Sequence, residues 1–83
     1  MKNLAHSTDP GLARRWFRAL LWRAFPAASE RELSVRAAAV LDVSPRQVSN
    51  WLREEHDASL RYVAAVLAIA GAEIVFQKIE GRK

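Results

Sequence analysis

The sequence predicts a mainly α fold of four helices followed by one C-terminal β-strand, and three observations carry that prediction. Apolar residues recur at helical spacing along 10–25, 30–41, 45–54 and 60–70. Each stretch opens on a start signal: Asp9-Pro10, Ser29 with Glu32 three residues on, Ser44-Pro45 with Gln47, and Ser59 before Leu60. After Gly71 the period shifts from 3.6 to 2, and 72–79 gathers Ile74, Val75, Phe76 and Ile79 between two glycines, which reads as a strand.

Residues 1–8 show no period and read as a disordered arm ahead of a single domain spanning 9–83. In the first helix Ala13, Trp16, Phe17, Leu20, Leu21 and Ala24 form the apolar stripe, and Pro26 stops the run. Trp22 reads as a rim residue of the core. The opposite face carries Arg14, Arg15 and Arg18. Residues 1–31 hold six basic and two acidic groups, whereas 32–83 hold seven of each, so the whole net charge of +4 resides in the first third. Arg14 and Arg18 are therefore candidates for contact with an anionic partner, the alternative being a solvated charged face.

The second helix starts after Ser29, with Ser34 as an alternative cap one turn later, and turns Leu33, Ala37, Val40 and Leu41 toward its neighbours. Asp42 and Val43 make a corner. The third helix begins at Pro45 and places Val48, Trp51 and Leu52 on one side. Its other stripe, Arg46, Ser49, Asn50 and Arg53, is wholly polar and rich in side chains that pair with base edges. In the fourth helix, Leu60, Val63, Ala64, Val66, Leu67 and Ala70 make a wide apolar face, with Gly71 expected as the left-handed residue that ends it.

The stretch 38–52, AAVLDVSPRQVSNWL, resembles the helix-turn-helix of the Cro/repressor-like family of DNA-binding proteins. Val43 stands just past the corner, Val48 midway along the second helix, Trp51 three residues later, and Ser59-Leu60 opens the next helix at the family's spacing. The resemblance covers roughly 33–71. The chain departs from the family pattern at Asp42 and Glu54, where Gly is usual, and at Ala58, where Pro is usual; Glu54, Glu55 and Asp57 also form an acidic patch.

That resemblance implies a lambda-repressor-like four-helix domain that binds double-stranded DNA with helix 45–54 in the major groove. It puts Arg46, Gln47, Ser49 and Asn50 at base edges, and Arg36, Ser44, Arg53, Arg14 and Arg18 at phosphates. A strand at 72–79 has no partner in an otherwise helical chain. Pairing with the same strand of a second subunit, as in some antitoxin-type members, would make Ile74, Val75 and Phe76 a homodimer interface. The alternative is that 72–79 continues as helix.

Other classes find less in the sequence. The chain has no cysteine, and His6 and His56 lack ligand spacing, so no metal site or cofactor is expected. Neither a Gly-rich phosphate loop nor a carboxylate pair backed by histidine suggests an enzyme. With no apolar run of membrane-spanning length and no signal-peptide pattern at the start, a cytoplasmic, nucleoid-associated protein without membrane contact is expected. The reading is a homodimeric transcriptional repressor, and the alternative is an antitoxin-type or adaptor protein that binds a toxin or other protein partner.

Overall fold

A computed structural model of the chain describes residues 9–79, the side chains of Phe76, Gln77 and Ile79 excepted. The expected arm at 1–8 lies outside the described residues. Among the described residues four helices follow one another: α1 Pro10–Ala24, α2 Glu30–Leu41, α3 Pro45–Leu52 and α4 Leu60–Ile79.

The start signals act as their chemistry requires. Asp9 caps α1 by accepting the Gly11 N–H at 3.0 Å, and Pro10 takes the first position, where no N–H is needed. Ser29 Oγ accepts the Glu32 N–H at 3.1 Å, while Glu32 Oε1 reaches back to the Ala28 N–H at 3.0 Å, closing the capping box one residue upstream of the cap. Ser44 Oγ accepts the Gln47 N–H at 3.1 Å.

The helix ends are equally defined. Asp42 ends α2 at φ 59°, ψ 48°, with the Val43 N–H returning to the Ala38 carbonyl. α3 ends in the same way. The Glu55 N–H bonds the Asn50 carbonyl, the Glu54 N–H bonds that of Trp51, and Glu54 takes φ 62°. These are Schellman-type ends whose left-handed position is normally given to glycine. Asp and Glu occupy them here.

α2 packs on α3, and α1 packs on α4 and α3. The core between them holds Phe17, Leu20 and Leu21 of α1, Leu33, Ala37 and Leu41 of α2, Val48, Trp51 and Leu52 of α3, and Val66 and Ala70 of α4. Trp51 is its centre. The indole meets the Phe17 ring edge-on at 5.4 Å and 82°, and Tyr62 at 5.4 Å and 48°. Phe25, which no periodic stripe includes, is also buried just past the end of α1.

Three expectations give way. The segment 72–79 is helical and continues α4 to Ile79, so no strand occurs among the described residues and the strand-paired interface through Ile74, Val75 and Phe76 is withdrawn. Ala72, Val75, Phe76 and Ile79 also stand at i, i+3, i+4 and i+7, and a helix bonds its own backbone where a lone strand would leave it unpaired. Gly71 accordingly lies inside a helix rather than ending one. Finally, Trp16 and Val40 are 50% and 61% exposed, each about a quarter-turn off the buried stripe of its helix. Trp22 does pack at the core's margin. No helix among the described residues is long and apolar enough to cross a membrane.

Candidate functional site

The polar stripe of α3 is exposed because its opposite side is fully used. Val48, Trp51 and Leu52 are 0–2% exposed, and helical spacing then turns Arg46 and Arg53 to solvent with Ser49 between them. Beside that stripe runs the first turn of α2. The two helices bound a groove of about 610 Å³ lined by Glu30, Arg31, Ser34, Val35, Pro45, Arg46, Ser49 and Arg53. Three guanidiniums thus line one depression against a single carboxylate. Gln47 and Asn50 are half-buried on α3, and Ser44 is exposed at its cap.

Of the residues singled out in the sequence, the groove gathers Arg46, Ser49 and Arg53. Ser44, Gln47, Asn50, Arg14, Arg18 and Arg36 are not among its lining. Arg36 instead donates to the Pro26 carbonyl in the link between α1 and α2. Arg18 is half-buried on α1. Arg14 bonds within the chain. Its Nε lies 2.6 Å from Asp57 Oδ1, and Nη1 donates to the Glu54 carbonyl at 3.4 Å. That arginine ties α1 to the loop after α3 and holds Glu54, one of the two residues with positive φ. It also offsets part of the acidic patch formed by Glu54, Glu55 and Asp57.

Arg31 is the lining residue that periodicity alone does not single out. A signal for it exists: it stands three residues before Ser34, on the first turn of a helix whose N-terminal end faces α3.

A polar, arginine-lined groove beside an anchored short helix suits recognition of an anionic surface. Guanidiniums fork onto phosphate or base oxygens, and amide and hydroxyl groups read donors and acceptors beside them. No known protein family, curated protein or solved structure matches the chain. What the fold and this groove define on their own is a small, mainly helical domain with a cationic, hydrogen-bonding helix face.

Proposed function

We propose that the chain is a sequence-specific DNA-binding transcriptional regulator, a homodimeric repressor that inserts α3 into the major groove. The observation that carries the reading is the division of α3: one side seated in the core by Val48, Trp51 and Leu52, the other lined by Arg46, Ser49 and Arg53. A helix fixed by its apolar side keeps its polar side in register with base edges without first having to order it.

Arg46 and Asn50 read bases, with Gln47 and Ser49 beside them. Arg53, Ser44 and the groove residue Arg31 hold phosphates, and Arg18 and Arg36 flank the duplex. Arg14 keeps its structural ion pair and serves the loop. Support for the helix-turn-helix reading comes from the two left-handed residues, Asp42 and Glu54, which fall where the Cro/repressor-like pattern carries glycine. Two copies would present two α3 helices to half-sites about 34 Å apart, so the operator is a palindrome. The adaptor reading, which relies on the acidic loop as a docking surface, is weakened by the Arg14–Asp57 pair.

The test is selection from a pool of random duplexes at near-physiological salt. Enrichment of an inverted repeat with half-sites one helical turn apart is the expected result. A pool that stays random after repeated rounds would remove sequence-specific reading.

A further inference from the structure

Helix α4 is apolar on both sides, which a helix at a protein surface rarely is. Its inner side delivers Val66 and Ala70 to the core. Its outer side carries Leu60, Ala64, Leu67, Gly71 and Ile74, spaced by alternating steps of four and three residues, with Ala68 and Val75 alongside. That is the seam spacing of a helix that pairs with another helix. Between Ala64 and Val75 this outer strip contains no charge. Beside it, α1 and α4 enclose a groove of about 430 Å³ lined by Trp16, Leu20, Leu67, Gly71 and Ile74, with Arg23 of α1 as its one charged lining residue.

Two further observations select the occupant. A Cβ built on Gly71 meets nothing within 4 Å, so packing inside the chain does not require glycine there, although glycine is the least favourable residue in a helix interior apart from proline. Its small size allows an outside backbone to approach. Leu60, Leu67, Ile74 and Val75 of the strip and Trp16 of α1 are 41–80% exposed, roughly several hundred Å² of apolar surface per copy, a large part of the ~800 Å² that each partner gives to a stable interface.

Charge then sets the direction. Lys78 continues the line of the strip four residues past Ile74, whereas the Arg61 guanidinium is turned over the Tyr62 ring. A parallel pair would set Lys78 against its own counterpart, whereas an antiparallel pair crossing at Gly71 places Lys78 near Ala64 of the other copy and Leu67 near Val75.

We infer that α4 is the homodimer interface, pairing antiparallel with α4 of a second copy about a two-fold axis at Gly71. The inference deepens the regulator reading by locating its dimer. It is tested on the full chain without DNA, so that either can fail alone.

Sedimentation equilibrium across the micromolar range should give twice the 9.3 kDa chain mass for the wild type. Leu67→Lys/Val75→Lys, both exposed in the single chain and so compatible with its fold, should sediment at the chain mass with an unchanged circular dichroism spectrum. Because the chain lacks cysteine, single introduced thiols report direction independently of that variant. Gly71→Cys should form a disulfide-linked dimer on oxidation. Ala64→Cys should not, since an antiparallel pair sets the two copies of residue 64 roughly 21 Å apart along the helices. A wild type that stays at the chain mass would overturn the inference and leave the strip to a different protein. A dimer that survives Leu67→Lys/Val75→Lys, or crosslinking at both thiol positions, would overturn it as well.

Discussion

Trp51 and Glu54 sit three residues apart and show how differently single side chains can matter. Trp51 is 1% exposed between Phe17 and Tyr62, and its indole Nε1–H has no hydrogen-bond partner among the described residues, so its contribution is packing rather than bonding. Trp51→Ala should destabilise the domain by about 3–5 kcal/mol, read from urea unfolding; an unchanged midpoint would contradict the central place given to the indole. Glu54 holds the left-handed conformation that glycine adopts freely. Glu54→Gly should therefore raise stability by about 1 kcal/mol, visible as a higher Tm, with the Arg14 bond to the backbone carbonyl at 54 retained. The Arg14–Asp57 pair is largely open to solvent, and removing it should cost below about 1 kcal/mol.

At the scale of elements, the first three helices are legible in the sequence because each start is written in local chemistry. Asp9, Ser29 and Ser44 cap the helices the sequence assigns to them, and Pro10 and Pro45 stand at first positions. The ends of α1 and α3 differ from expectation by one and two residues, since the closing bonds depend on backbone geometry at Phe25, Arg53 and Glu54 rather than on residue type.

The C-terminal segment misleads for a physical reason. Ile74, Val75, Phe76 and Ile79 favour strands intrinsically, and a helix apolar all round gives no polar face to reveal its period. Gly71 then resembles a stop. In the candidate site, Arg46, Ser49 and Arg53 are legible from the spacing that sets them opposite Val48 and Trp51; Arg31 is not, because its place depends on how α2 lies against α3. Helix rather than strand at 72–79 is open to a direct check. Val75→Pro lacks the N–H that bonds within the helix and crowds the carbonyl at 71, so it should reduce helical circular dichroism while core unfolding stays cooperative. An unchanged helical signal would contradict the extended α4.

For the molecule as a whole, the proposed function divides the surface in two. In the proposed complex, α3 and the first turn of α2 meet the duplex, and α4 meets the second copy. Phosphate contact by Arg53 predicts that Arg53→Ala weakens binding on all sequences alike and lowers the salt slope by about 1. Base contact predicts a different pattern. The most direct test of the central claim is a titration at about 0.15 M salt, where counterion release no longer lets any basic chain bind DNA tightly. The selected duplex and a scrambled one are compared for the wild type and Arg46→Ala/Asn50→Ala. The wild type should prefer the selected duplex, and the double variant should lose that preference, at ~1–3 kcal/mol for each base contact, while binding the scrambled duplex nearly as before. Equal binding of both duplexes by the wild type, or a preference that survives in the double variant, would contradict α3 as the reading helix.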